Sequence, residues 1–360
     1  MNRPLPPAFA PRRIVLFRAL FLGDLLCATP TFRALQRRFP GAEITLVGLP
    51  WARELADRLP SLDRFEAFPG HQGLPDQTAD PAQTAAFLAR MRNTRYDLAV
   101  QLHGDGCVSN EIVAAFGARR TLGFGSPDDP RLDVALPWRE EEHEVRRWLR
   151  LAAALGAPID DTAIDLPLTS ADRRQARLLL AALPAGRGPV VALHAGSKLP
   201  SRRWPADRFA ALGDALAGRF GARIVLTGGA PEQDLALAIR KRMRVPPLDL
   251  TGRTDLGAFA AVVARLDLLV TNDTGASHIA AAARTRSVVL FGPSRPARWA
   301  PIDASFHLAI DATLLPGDDH DPESALARLP VRTVLAACES ILRGPVIPVP
   351  DTQPEAVWHA

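Results

Sequence analysis

Short apolar runs recur along the chain, each giving way to a turn and then to a segment with helical spacing. The first run is Ile14-Val15-Leu16-Phe17. Phe32, Leu35 and Phe39 follow near helical spacing, and Pro40-Gly41 closes that segment. The pattern predicts a strand over 13–17, a loop over 18–24, a helix over 25–38 and a strand over 43–48. A unit of this size matches a parallel strand–helix–strand crossover. Further alternation predicts a helix over 51–58, a strand near Phe65, a loop over 69–82, a helix over 83–92 and a strand over 96–102.

Residues 137–188 read as a connection punctuated by Pro137, Pro158, Pro167 and Pro184, with polar helices over 141–155 and 170–183. The alternation then restarts. It gives a strand over 189–193, a loop over 194–204, a helix over 205–220 and a strand over 222–226, then the turn Thr227-Gly228-Gly229 and helices over 231–242 and 256–266. Residues 270–293 read VTNDTGASHIAAAARTRSVVLFGP. An apolar run stops there at Asn272-Asp273-Thr274-Gly275, a small-residue helix covers 276–283, and a strand covers 287–291. A last helix over 331–342 precedes a Pro-rich tail expected to be disordered.

Two similar parallel-sheet halves imply an α/β chain of two Rossmann-like domains. The expected division is 1–165, 166–343 and a tail over 344–360, with the last helix able to pack back on the first domain. In such sheets ligands bind outside the carboxyl ends of the strands. The loops directly after strands therefore carry the chemistry.

Bulk properties narrow the class. A chain of 360 residues, 47% hydrophobic and 23% charged, suits a soluble two-domain protein. No run approaches the ~18–20 apolar residues of a membrane span. The start, MNRPLPPAFAPRR, lacks the apolar region of a secretion signal. Cys27, Cys107 and Cys338 are scattered and odd in number, so neither disulfides nor a metal site follow. A cytoplasmic protein is expected. The net charge of +4 comes almost wholly from arginine, since only Lys198 and Lys241 are lysine. That surplus suits acidic small molecules or an anionic membrane surface, and no nucleic acid is expected.

Four loops offer chemistry. At the late turn, backbone N–H groups at a helix N-terminus can hold an anion, and Thr274, Gly275 and Ser277 are small enough to admit a phosphate. In LHAGSKLPSRRWP, Gly196-Ser197 can form an anion nest beside Lys198, Arg202 and Arg203. The loop reads either as a diphosphate site or as a solvated basic surface. After the strand over 222–226, Gly228 and Gly229 permit close backbone approach. There Glu232 or Asp234 can accept ribose hydroxyls or serve as first-turn acids that the helix dipole stabilises. In the early loop FRALFLGDLL, Gly23 suits a turn and Asp24 reads as an N-cap, as a general base, or as both.

Other features carry less. Asp318-Asp319-His320-Asp321 sits in a Gly/Pro loop and reads as a solvated acidic loop, and Asp128-Asp129 reads as a turn before Pro130. His103 either faces a ligand cleft or packs at a strand end, and His278 reads as structural. No nucleophile elbow, zinc-protease motif or Walker lysine occurs.

Taken in order, the early Gly23-Asp24 turn, the H-A-G-S…R-R-W-P loop, the T-G-G-x-x-E turn and the N-D-T-G-x-S-H…F-G-P segment resemble glycosyltransferase family 9. These are the bacterial heptosyltransferases of lipopolysaccharide core assembly. The likeness runs from about Arg13 to Ala300. It implies a GT-B fold, with two Rossmann-like domains facing each other across a cleft. It also implies an inverting mechanism without metal or cofactor, an ADP-heptose donor, and a glycolipid or oligosaccharide acceptor met near the cytoplasmic face of the inner membrane. By position, Asp24 matches the catalytic aspartate, with Gly23, Arg18 and His103 on the acceptor side. Asp273 matches the aspartate on the donor sugar. Thr274-Gly275 matches the diphosphate turn, joined by Ser277, Ser197, Lys198 and Arg202. Arg202 stands where the family usually has lysine, so Lys198 is the other candidate for the main phosphate contact. Gly228, Gly229 and Glu232 fall on the nucleoside. The alternatives are a nucleotide-sugar epimerase or hydrolase on the same scaffold, or a non-catalytic nucleotide-sugar-binding protein.

Overall fold

A computed structural model describes residues 9–74, 79–315 and 321–344. The chain divides into two compact units, Met1–Asp165 and Leu166–Ala360.

The first unit is built on a parallel sheet of β1 (Arg13–Phe17), β2 (Glu43–Gly48), β3 (Arg64–Ala67), β4 (Leu98–Gln101), β5 (Thr121–Phe124) and β6 (Val134–Leu136). Their order across the sheet is β3-β2-β1-β4-β5-β6. The order reverses between β1 and β4, which makes the carboxyl ends of those two strands the switch point. β1 and β4 are almost wholly buried because helices cover both faces, and this is why they read as continuous apolar runs. Phe17, Phe68, Phe87 and Phe116 meet edge to face at centroid distances of 5.0–6.2 Å. Pairs of this kind add about 0.5–1.5 kcal/mol each beyond the area they bury.

The second unit repeats the plan with β7 (Val190–His194), β8 (Arg223–Thr227), β9 (Leu248–Asp249), β10 (Leu268–Asn272), β11 (Ser287–Phe291) and β12 (His307–Asp311). The order β12-β11-β10-β7-β8-β9 is the same doubly wound arrangement, and its switch point lies between β7 and β10. Trp204 and Phe209 fill the core beneath it, with ring centroids 4.9 Å apart. The Trp204 indole N–H donates to Leu329 O at 2.9 Å. The helix Val331–Arg343 buries Val334, Cys338 and Ile341 in this same core. Burial there pushes the Cys338 thiol up to about 12, so it stays protonated.

Several expected elements differ. The helix expected over 25–38 is two helices, Leu22–Leu26 and Thr29–Arg38. Pro30 has no N–H for Leu26 O, and the Thr29 hydroxyl donates to that carbonyl instead, at 2.8 Å. The first helix also starts earlier than expected. Asp24 lies inside it and the N-cap position is Phe21, so the N-cap reading of Asp24 is corrected. Strands β5, β6 and β12 and the helix Ser109–Ala115 stand where no regular element is expected. Three or four residues are too few to show a period, and β5 is interrupted by Gly123. Asp318, Asp319 and His320, and most of the Pro-rich tail, lie outside the described residues.

Candidate active site

In the first unit the β1–β2 ladder runs one residue past Phe17, where Arg18 N donates to Val47 O at 2.9 Å, before the chain enters the loop. The Arg18 side chain is fully buried. Its Nε donates to Asp24 O at 2.6 Å and a terminal nitrogen donates to Leu102 O, just past β4. One buried guanidinium thus ties both strand ends of the switch point to the first turn of the helix Leu22–Leu26. The other terminal nitrogen lies 3.5 Å from Glu144 Oε1 and 3.8 Å from Asp24 Oδ1. The indole of Trp148 lies 4.3 Å from the guanidinium carbon, and its N–H donates to Glu144 at 3.1 Å. Arg147 approaches Glu144 at 3.4 Å and packs 3.7 Å from the Trp138 ring. The side chains of Arg18, Arg147 and Glu144 are all but sealed, whereas the Asp24 side chain is 24% exposed. Asp24 is therefore the member of this cluster that a ligand can reach.

His103 packs at the strand end, as one of its two readings requires. Its ring stacks on Phe17 at 5.2 Å, and Nδ1 accepts from Ala19 N at 3.3 Å. Burial, helped by the Arg18 charge, pushes its pKa down to about 3. At neutral pH the ring is uncharged and its proton is on Nε2. Gly23, one residue before Asp24, sits within the same short helix, and its carbonyl accepts from Cys27 N.

In the second unit Asn272, at the end of β10, organises the switch point. Its Nδ2 donates to Ala195 O at 2.8 Å, and its Oδ1 accepts from Trp204 N at 3.1 Å. Both ends of the basic loop are thus held to β10. Arg203 donates twice to Ser197 O, at 2.8 and 2.6 Å, and so serves the loop's own shape. Arg202 points the other way. Its terminal nitrogen lies 3.9 Å from Asp273 Oδ2, and its buried Nε has no hydrogen-bond partner. Asp273 is buried, and burial raises its pKa while Ser294 and Arg202 partly counter the rise. Beside it Thr274 caps the helix Gly275–Ala282, its Oγ1 accepting from Ala276 N at 3.1 Å. The Ser277 hydroxyl donates back to Thr274 O at 2.8 Å. Lys198 is exposed on the same loop. Arg202, Asp273, Thr274, Gly275 and Ser277 therefore come together at one strand end, with Ser197 and Lys198 on the adjoining loop.

Glu232 turns inward to its own turn. Its carboxylate accepts from Gly229 N at 2.7 Å and lies over Gly196, where a Cβ would stand 1.7 Å from Oε1. Gly228 faces the same carboxylate, so the glycines at 196 and 228 make room for it. Burial lowers the pKa of His194, at the end of β7, and its Nδ1 lies 3.1 Å from Thr227 Oγ1. His278 is buried against Trp299, at 6.4 Å. Among the described residues no group of three or more His, Cys, Asp or Glu is placed to hold a metal ion, and no helix is long and apolar enough to cross a membrane.

Sequence reasoning missed Glu144, Arg147 and Trp148. Their spacing of three and four puts them on one helix face, which was the available signal. The same spacing also fits a solvated polar helix.

The sequence profile described as glycosyltransferase family 9 (heptosyltransferase) matches residues 84–313. Lipopolysaccharide heptosyltransferase 2 of Escherichia coli K12 is 26% identical over 304 residues, covering 79% of this chain and 84% of that one. Among solved structures, a family 9 glycosyltransferase from Veillonella parvula superposes with a TM-score of 0.78 at 23% identity, covering 92% of this chain and 97% of that one. The E. coli ADP-heptose lipopolysaccharide heptosyltransferase II superposes with a TM-score of 0.73 at 22% identity, over 92% and 98%. These likenesses establish the GT-B fold class.

Proposed function

The chain belongs to glycosyltransferase family 9, and from that premise we propose that it moves a heptose from ADP-heptose onto a lipopolysaccharide-core or related glycan acceptor. The reading inverts the anomeric centre and uses neither metal nor cofactor. The observation that carries it is the meeting, in the second unit, of a buried carboxylate, an arginine with an unpaired Nε and a capped helix N-terminus. A sugar diphosphate needs that set: hydroxyls for the carboxylate, and phosphate oxygens for the cation and the backbone donors.

Asp273 then takes hydroxyls of the donor sugar. Arg202 and Lys198, with Ser197, Thr274, Gly275 and Ser277, hold the diphosphate. Gly228 and Gly229 lie along the nucleoside, with Glu232 shaping the turn. In the first unit Asp24 accepts the proton of the acceptor hydroxyl, while Arg18 holds the turn that carries it and Gly23 and His103 shape the acceptor side around it. The hydroxyl oxygen bonds to the anomeric carbon as the bond to the diphosphate breaks, and ADP leaves with the electron pair. Preorganised positive charge on the leaving diphosphate supplies the main electrostatic stabilisation. Two arginines and a lysine in the loop can offset the diphosphate charge without a divalent ion.

Lipopolysaccharide acceptors are anchored in membrane, so action at the cytoplasmic face of the inner membrane belongs to the same reading. The test is product formation by purified protein from ADP-heptose, with and without core-oligosaccharide or lipid acceptors and with excess EDTA. Acceptor-dependent transfer that survives EDTA supports it. Donor turnover that ignores acceptor would instead indicate an epimerase or hydrolase, and ADP binding without turnover a non-catalytic binder.

A further inference from the structure

A cavity of about 520 Å³ opens in the first unit at the carboxyl ends of β4 and β5. That volume lies within the range of small-molecule sites, about 300–1,000 Å³. Asn110 forms its floor and is fully buried. Its Nδ2 donates to Phe124 O and to Asp129 Oδ2, both at 2.9 Å, while its Oδ1 has no hydrogen-bond partner. Arg131 closes one wall with two hydrogen bonds to Asp129, at 2.8 and 2.7 Å, and a third to Cys107 O. That pairing, together with Asn110, holds the Asp129 carboxyl down at about 2. Gly106, with φ of 92°, lies so close to the floor that a Cβ would stand 2.1 Å from Phe124 O and 2.4 Å from the Asn110 amide nitrogen. The floor is thus a fixed polar surface beneath bare backbone.

The loop leading to the cavity is anchored beside the proposed base. Gln101, the last residue of β4, donates to His103 O at 2.7 Å and to Ser109 Oγ at 2.5 Å. The cavity opens at the same carboxyl-terminal end of the sheet as the loop after β1 that leads to Asp24.

The geometry points to a subsite for a neutral sugar ring of the acceptor, one that carries no phosphate or carboxylate. This rests on the glycosyl-transfer reading above. The walls present two exposed carboxylates, of Asp105 and Asp128, while the one guanidinium of the lining is committed to the buried Asp129. Carboxylates accept strongly from hydroxyls and repel anions. They do not converge as metal ligands, since no metal-holding group occurs among the described residues. Asp105 spends one oxygen on Cys107 N at 2.9 Å, a bond that orients the carboxylate at the rim.

The experiment titrates the full chain with methyl glycosides of a neutral hexose and heptose, and with their 6-phosphates, by ligand-observed NMR. ADP affinity is measured by calorimetry in parallel. Neutral glycosides are expected to bind at least tenfold tighter than their phosphates. Asp105→Asn and Asp128→Asn should each weaken the neutral glycoside by about tenfold, the loss of one charge-assisted hydrogen bond. Both side chains are exposed, and an unchanged melting temperature confirms folding. Ser126→Trp, which fills the mouth, should abolish glycoside binding while leaving ADP affinity as it was. Phosphorylated sugars that bind as tightly as neutral ones, or glycoside affinity indifferent to all three substitutions, would overturn the assignment. Failure of the wild-type chain to bind ADP would sink the transferase reading separately, since glycoside binding is read without donor.

Discussion

The two units share one strand order and one kind of switch point, yet they treat charge at it in opposite ways. In the first, Arg18 is sealed from solvent between Asp24, Glu144 and Trp148, and its hydrogen bonds go to backbone carbonyls. In the second, the loop is held by the neutral amide of Asn272 and by Arg203, which leaves Arg202 38% exposed and 3.9 Å from its nearest carboxylate. Burying a paired arginine gains little net stability, because desolvation offsets the attraction. It does fix geometry. The first unit therefore spends its cation on holding a reachable carboxylate in place, and the second keeps a cation available to a ligand. On the proposed transfer, the same fold serves a base on one sheet and an anion cradle on the other.

The largest expected effect tests the carboxylate. Asp24→Asn is nearly isosteric, lies outside the N-cap position and leaves Glu144 3.5 Å from the Arg18 guanidinium, so the melting temperature should fall only slightly and ADP affinity should hardly move. Transfer rate should fall by roughly two to four orders of magnitude, the usual worth of general-base catalysis. A fully active variant would remove Asp24 from the chemistry and leave the buried arginine without a catalytic purpose.

Next in size is the cation of the second unit. Arg202→Ala should weaken ADP by roughly 1.5–3 kcal/mol, as for a lost hydrogen bond to a charged group. Arg203→Ala acts differently, because Arg203 holds Ser197 O and shapes the loop. It should lower thermal stability as well as affinity. Calorimetry with ADP and thermal denaturation of both variants separate ligand contact from scaffold. Unchanged ADP affinity in both Arg202→Ala and Lys198→Ala would place the diphosphate elsewhere.

How much of this contrast the sequence displays depends on the range of the interactions. β1, β2 and β11 appear at their observed bounds, because parallel strands buried on both faces write themselves as apolar runs. The Asn272–Gly275 turn is equally plain, since small residues after a strand have few other uses. Glu144 and Arg147 are not legible in this way. Charged residues in a helical segment normally mean a wet face, and here only packing against Arg18, Trp138 and Trp148 makes them interior. Glu232 shows the same limit. An acid after Gly-Gly suggests ribose, but its contacts with Gly229 N and Gly196 are not visible in the sequence. Pro30 is the reverse case, where the break between two helices is written in a missing N–H.

Buried histidines in both units give a pH test of comparable scale. His103 is pushed down to about 3 and His307 to about 4, in each case chiefly by burial. Both pKa values lie below the unfolded value near 6.5, so the unfolded state takes up protons first as pH falls. Stability is thus complete above about pH 6.5 and is lost between there and pH 3–4. At pH 5 each histidine costs about 2 kcal/mol. Urea denaturation between pH 7 and 5 measures the slope. His307→Gln can still meet the Ser287 hydroxyl, which lies 2.8 Å from Nδ1, and should remove its share of that slope. A slope unchanged by the substitution would mean His307 is not buried neutral.

The smallest effect concerns Asp273, and its sign is the informative part. Burial raises the carboxyl pKa above its unfolded value. The folded state therefore binds more protons across the window between the two, and stability falls as pH rises through it. Above that window the ionised carboxylate is a cost that the ligand-free protein carries, lessened by Arg202 at 3.9 Å. Asp273→Asn keeps the shape and removes the charge. The ligand-free variant should melt no lower than the parent, and higher by about 2–4 °C for each 1 kcal/mol relieved, the scale for a unit of this size. Its stability should also lose the decline with pH. ADP affinity should stay close to that of the parent, because the diphosphate rests on Arg202 and the helix N-terminus. The KM for the sugar-bearing donor should rise about tenfold or more with the loss of a charged hydrogen-bond acceptor. A residue kept at a cost to stability and spent on the sugar alone gives this split. A variant that melts lower and binds ADP-sugar as before would make Asp273 a structural partner of Arg202, and the second unit would then resemble the first in spending its arginine on internal geometry.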